Sequence, residues 1–218
     1  MKHQWLKQSD AAENIIVFFS GWGFDASIVQ DLAIRKDTNV LFINDYRSLE
    51  YQLPNLEHYQ HRYLIAWSFG VAAYSVWQNQ TSTIHSQFDC TVAVNGSMIP
   101  INRKTGIPEL VVKKTIDTLS VDSFQVFAQK CFAPTDNKIN EHFIIDVNAR
   151  KNELLEIQQR QYPENTLQWH KVWISSNDKI FPLRNLQYAW QDHGSRIEQI
   201  DASHAPFSYW GKWQDLIV

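Results

Sequence analysis

The sequence predicts an α/β protein: an open, mostly parallel sheet with helices on both faces and one small helical insertion. Three observations carry this reading. Short apolar runs bounded by turn residues recur along the 218 residues, segments of helical length lie between them, and the alternation lapses once, between Ser97 and about Gln168. Continuous apolar runs suit strands covered on both faces, and strands alternating with helices give a layered sheet.

The predicted strands are residues 14–19 (NIIVFF), 40–43 (VLFI), 63–67 (YLIAW), 90–94 (CTVAV), 171–175 (KVWIS) and 196–200 (RIEQI). Most are continuous or nearly so, and several are rich in β-branched residues. Helices are expected over 26–35, 71–80 and 182–191. Inside the lapse, helix-like periodicity covers 107–120, 123–131, 141–148 and 151–160, with no convincing strand. The expected organisation is a single core formed by residues 1–96 and 169–218, with residues 97–168 as a helical cap inserted between two strands. There is no internal repeat and no low-complexity tract.

Composition narrows the function classes. Twenty Lys and Arg against twenty-three Asp and Glu give a formal charge of −3, so no global attraction to nucleic acid or anionic lipid is expected. Cys90 and Cys131 have no CxxC spacing, which argues against a disulfide framework or a cysteine-rich zinc site and for a reduced, cytoplasmic chain. The N-terminal residues lack an apolar signal region, and no apolar run approaches the roughly 18 residues needed to cross a bilayer. Aromatic residues make up 13% of the chain and suit either a dense core or the walls of an apolar site.

The chemistry is concentrated at four places. In Ala66-Trp67-Ser68-Phe69-Gly70 an apolar strand runs into a serine and then into a helix of small residues. A serine on so sharp a turn projects its hydroxyl above the sheet, and small neighbours two residues either side let the backbone close. A serine hydroxyl needs a general base and an acid that orients that base. On such a fold these follow the serine in the order Asp or Glu, then His, each on a loop after a later strand. Asp178 lies just past strand 171–175 and His204 just past strand 196–200. Asp192 and Asp201 are competing acids, but Asp201 is three residues from His204 and reads as a turn former. His58 and His61 lack a third ligand at metal-binding spacing. The fourth place is Ser20-Gly21-Trp22-Gly23 after the first long apolar strand. Its glycines permit a tight loop whose main-chain N–H groups can face a developing oxyanion. The donors assigned are the backbone N–H groups of Trp22 and of Phe69. The loop lacks the Lys-Ser/Thr of a phosphate-binding loop and the full spacing of a dinucleotide fold.

Together, F-F-S-G-W-G-F-D at 18–25, A-W-S-F-G at 66–70, S-N-D at 176–178 and D-A-S-H-A-P-F at 201–207 resemble the α/β-hydrolase superfamily. More narrowly, they resemble the compact esterases of the BioG type, which act on the methyl ester of pimeloyl-acyl carrier protein in biotin synthesis. The likeness spans the whole chain in layout, but only these four segments are specific. It implies Ser68 as nucleophile, His204 as base, Asp178 as its orienter, and Trp22 and Phe69 as oxyanion donors. Two departures stand out: Ser20-Gly21 where many α/β-hydrolases have His-Gly, and Ala66 in place of the elbow glycine.

The implied activity is hydrolysis of a carrier-borne methyl ester through an acyl-enzyme on Ser68, with no metal or organic cofactor. The implied partner is an acyl carrier protein, with neither nucleic acid nor membrane, and a monomer is expected. Phe124, Phe127, Phe132 and Phe143 are candidate walls for the acyl chain. Arg103, Lys104, Lys113, Lys114, Arg150 and Lys151 are candidate contacts for the acidic carrier. Three rival readings are a broader carboxylesterase or acyl-thioesterase with the same residues, a non-catalytic relative that binds a ligand or carrier protein, and a nucleotide-binding α/β protein, against which the missing phosphate-loop residues argue.

Overall fold

The structure is a computed structural model that describes residues 1–81, 84–162 and 167–218; residues 163–166 of the expected insertion lie outside them. Among these described residues seven strands form one sheet: β1 (Lys2–Lys7), β2 (Asn14–Phe19), β3 (Thr38–Asn44), β4 (His61–Trp67), β5 (Cys90–Val94), β6 (Lys171–Ser175) and β7 (Arg196–Ile200). Their spatial order is β1-β3-β2-β4-β5-β6-β7, and every pairing is parallel except that of β1 with β3. The continuous apolar runs lie where such runs belong: Ile15 to Phe19 in β2 and Leu64 to Trp67 in β4 are fully buried.

Among the described residues six α-helices accompany the sheet: α1 (Phe69–Thr81), α2 (Glu109–Asp117), α3 (Val121–Cys131), α4 (Val147–Gln159), α5 (Leu183–Trp190) and the short α6 (Gln214–Ile217). α1 packs on β2 and β4, α5 on β6, and α6 on β5. α2, α3 and α4 fall between β5 and β6, where the strand-helix rhythm lapses. No helix among the described residues is long and apolar enough to cross a membrane.

Three sequence expectations are corrected. The sequence pattern predicts no strand at β1, because KHQWLK has too little apolar alternation; it forms as an antiparallel edge with Trp5 and Leu6 packed on the core. The helix expected over 26–35 shrinks to a 3₁₀ turn at Ala26–Val29, with Asp25 capping the Ser27 N–H. Beyond it the backbone is taken by the C-terminal segment: the Ala33 N–H donates to the Gly211 carbonyl, and the Trp213 N–H donates to the Ala33 carbonyl. The helix expected over 141–148 is absent until Val147. There the Gln125 side chain donates to the Glu141 carbonyl and accepts from the Phe143 N–H, holding the strip off helical geometry. Asp146 then caps α4 through the Ala149 N–H, which also starts that helix earlier than residue 151.

Candidate active site

Ser68 occupies the single residue between the end of β4 and the start of α1, with φ at 57°. This left-handed backbone costs a serine about 1 kcal/mol or more and persists only where the surroundings impose it. Gly70 is one cause of the tight fit: a Cβ there would lie 2.3 Å from the Phe19 carbonyl oxygen and 2.5 Å from that of Ser20. β2 and the turn therefore approach so closely that only hydrogen fits.

Asp178 follows β6 and His204 follows β7, so all three side chains sit beyond the carboxyl ends of parallel strands. His204 Nε2 is 2.9 Å from Ser68 Oγ, and His204 Nδ1 is 2.8 Å from Asp178 Oδ2. The other Asp178 oxygen accepts from the main-chain N–H groups of Ile180 (2.7 Å) and Phe181 (2.9 Å), which fixes the carboxylate. Ser68 and His204 are buried, and so is the Asp178 side chain. A hydroxyl, an imidazole and a carboxylate in this chain can pass a proton from oxygen to nitrogen and stabilise the resulting cation.

The competing acids lie elsewhere. Asp201 accepts from the Asn177 side chain and the Ser176 hydroxyl, pinning the loop that carries Asp178, and Asp192 is exposed beside Gln191. Among the described residues, no group of three His, Cys, Asp or Glu is arranged to hold a metal ion.

The loop after β2 runs against the serine. A Cβ on Gly21 would lie 3.1 Å from Ser68 Cβ and 2.8 Å from the Trp67 ring, and Gly23 has φ at 88°. The loop is anchored at both ends. The Tyr46 hydroxyl donates to the Ser20 carbonyl (2.6 Å), and the Trp22 indole donates to the Arg150 carbonyl of α4 (2.9 Å). The Phe69 N–H begins α1, where a helix has no internal acceptor. The Trp22 N–H meets no acceptor among the described residues.

Beside these two residues opens a cleft of about 680 Å³, lined by Trp22, Phe69, Leu110, Val111, Val126 and Phe127 with Lys114, Lys130 and Lys179 among them, and with no carboxylate. Of the four phenylalanines expected as walls, only Phe127 lines it. Phe124 and Phe132 are buried, and Phe143 stacks on Phe132 and packs against Phe24. Of the six expected basic contacts, only Lys114 lines it. Lys113 pairs with Asp117, and Arg150 pairs at 2.6 Å with the buried Glu153, so Arg150 serves the packing of α4. Arg103 and Lys104 lie in the exposed loop before α2, where the Asn185 side chain donates to the Arg103 carbonyl; Lys151 is half-buried on α4. Lys130 and Lys179 were missed. The available signal was helical spacing: Val126 with Lys130 on α3 and Leu110 with Lys114 on α2 each place an apolar residue and a cation four apart on one face.

Comparison with known proteins gives the following likenesses. A family model described as "Pimeloyl-ACP methyl esterase BioG" matches residues 1–216. The malonyl-[acyl-carrier protein] O-methyltransferase of Bacteroides fragilis is 31% identical over 196 residues, covering 87% of this chain; the chain spans only 39% of that relative's length. The crystal structure of BioG from Haemophilus influenzae superposes with a TM-score of 0.86 at 25% identity, over 100% of both chains. The enol-lactonase of Burkholderia xenovorans shares the fold at a TM-score of 0.65 and 15% identity, over 94% of this chain and 89% of its own.

Proposed function

Because the chain belongs to the BioG family and has the α/β-hydrolase fold, we propose that it hydrolyses the methyl ester of pimeloyl-acyl carrier protein through an acyl-enzyme on Ser68. The observation that carries this reading is the chain of contacts from Ser68 through His204 to Asp178, whose chain neighbours Phe69 and Lys179 line an apolar cleft.

His204 Nε2 takes the Ser68 proton as Oγ attacks the ester carbonyl, and the negative oxygen that forms is held by the Trp22 and Phe69 N–H groups. The His204 imidazolium, stabilised by Asp178, returns its proton to the departing methoxide, and methanol leaves. Water then attacks the acyl-serine with the same histidine as base, freeing the carboxylate and restoring the hydroxyl. The described residues of the 97–168 insertion act as the cap over this centre. The apolar residues of α2 and α3 take the hydrocarbon, while Lys114, Lys130 and Lys179 face the anionic carrier end.

The methyltransferase activity in the name of the Bacteroides relative belongs, on this reading, to the part of that protein that this chain does not match. Ser68→Ala should lower ester turnover on the order of 10⁶-fold, since residues acting as one unit fail together. A folded Ser68→Ala protein that kept most of its hydrolysis would remove the nucleophile. Faster cleavage of free short-chain esters or acyl thioesters than of the carrier-borne methyl ester would favour the broader hydrolase.

A further inference from the structure

His204 reaches Ser68 from a stretch without regular structure between β7 and a 3₁₀ turn at Pro206–Ser208. Bonds to Ser68 and Asp178 orient the ring but leave the backbone beneath it to be fixed by other groups. The His204 carbonyl oxygen accepts from two buried donors, Trp67 Nε1 at 2.8 Å and Asn95 Nδ2 at 2.9 Å. Asn95 is 1% exposed and immediately follows β5, with φ at 44°, a backbone conformation that Asn and Gly tolerate best. Its Nδ2 also meets Ser175 Oγ at 2.7 Å and the Ser203 carbonyl at 3.2 Å, while its Oδ1 accepts from the Ser175 N–H at 2.7 Å. One amide thus joins the end of β5 to the end of β6 and to two successive carbonyls of the His204 loop. An aspartate would fit the backbone but would set a carboxylate against those carbonyls. Trp67 directly precedes Ser68, so its bond to His204 ties the base to the nucleophile's own chain, and its ring packs 5.3 Å from the imidazole.

We propose that Asn95 and Trp67 are positioning residues that clamp the His204 carbonyl and thereby set the 2.9 Å separation of Nε2 from Ser68 Oγ. This rests on the reading of Ser68 as nucleophile and His204 as base. Main-chain bonds hold the loop on either side, with the Ala205 N–H donating to the Cys131 carbonyl and the Asn177 N–H to the Ala202 carbonyl; the clamp adds two bonds at the His204 carbonyl itself, from residues at the ends of two different strands.

Four variants test it, with kcat, KM and the pH dependence of kcat/KM on a p-nitrophenyl ester, the rate of Ser68 labelling by a fluorophosphonate, and the melting temperature as readouts. Asn95→Gly keeps the backbone conformation and removes the amide, and Asn95→Asp keeps an acceptor and removes both donors. Trp67→Phe keeps a ring and removes the indole N–H. Ser175→Ala removes a partner of Asn95 yet leaves both bonds to His204, and serves as the stability control. Misplacing the base by a fraction of an ångström should lower kcat and labelling about 10- to 100-fold in the Asn95 variants and about 10-fold in Trp67→Phe, with KM within about twofold and the acid limb of the pH profile displaced. Ser175→Ala should stay within about twofold of the parent rate even if its melting temperature falls as far.

Parent kcat in folded Asn95→Gly overturns the proposal, as does a rate loss in Ser175→Ala equal to that of the Asn95 variants. If Asn95→Gly does not fold, Trp67→Phe decides: an unchanged kcat and pH profile there overturns the clamp. Retained hydrolysis in Ser68→Ala would instead mean that the nucleophile assignment had failed; an inactive Ser68→Ala beside a fully active Asn95→Gly counts against the clamp alone.

Discussion

Ser68, Asp45 and Asn95 are the non-glycine residues with positive φ among those described, and two of them, Ser68 and Asn95, stand at the carboxyl end of the sheet beside His204. Strain gathers there because adjacent strand ends, a helix start and two loops must share one small volume. Gly70 shows how little room remains. Gly70→Ala would drive a methyl group into two main-chain carbonyl oxygens that cannot swing aside, and should destabilise the protein by about 3 kcal/mol or prevent folding. Chemical denaturation decides it, and parent stability would refute the close-approach argument. At this scale the sequence was most informative. The spacing of Ser68 with Gly70, and the placing of Asp178 and His204 just after apolar runs, are local patterns that a turn imposes on its own neighbours. Asn95 was not legible, because an asparagine ending a strand is ordinary, and its partners Ser175, Ser203 and His204 are about 80 residues or more away.

Elements that bury a continuous apolar run were readable, whereas elements decided by remote partners were not. β2 and β4 to β6 follow the apolar runs, since a strand covered on both faces can only be apolar throughout. The 26–35 segment has helical periodicity, but the C-terminal segment takes the hydrogen bonds of Ala33, and a helix needs those groups for itself. In the same way Gln125 captures the backbone of 141–143. The cleft faces of α2 and α3 also belong to this scale. Their exposed Leu110, Val111 and Val126 are costly to leave in water unless a ligand covers them, and the cations beside them are Lys114, Lys130 and, from the loop after β6, Lys179. Reversing Lys130 and Lys179 together to Glu should lower kcat/KM for a carrier-borne ester about tenfold or more, with the deficit shrinking as salt is raised. A small neutral ester should be nearly unaffected. Equal losses on both substrates would place the carrier elsewhere.

For the whole molecule, pH couples distant parts of the fold. Burial holds the His85 and His193 imidazoles below their ordinary range, so both favour the neutral form in the folded protein. That contribution is complete above about pH 6.5, the unfolded value, and is lost as pH falls through the depressed folded values. Asp45 is held well below the usual carboxylate range, first by its hydrogen bond to Arg47, so its contribution is present above about pH 4 and fades on further acidification. The urea midpoint should therefore fall between pH 7.5 and 5.5 and fall again below pH 4, with the second step reduced in Asp45→Asn. A midpoint that rose on acidification from pH 7.5 to 5.5 would contradict the sign. The sequence by itself determined the parallel α/β layering and the chain positions of Ser68, Asp178 and His204, because burial on both faces and tight turns write themselves into consecutive residues. Only the tertiary structure decided how 26–35 and 141–146 run, which cations line the cleft and what holds the histidine loop. Each of those depends on a hydrogen bond or contact between residues far apart in the chain, and no local spacing records it.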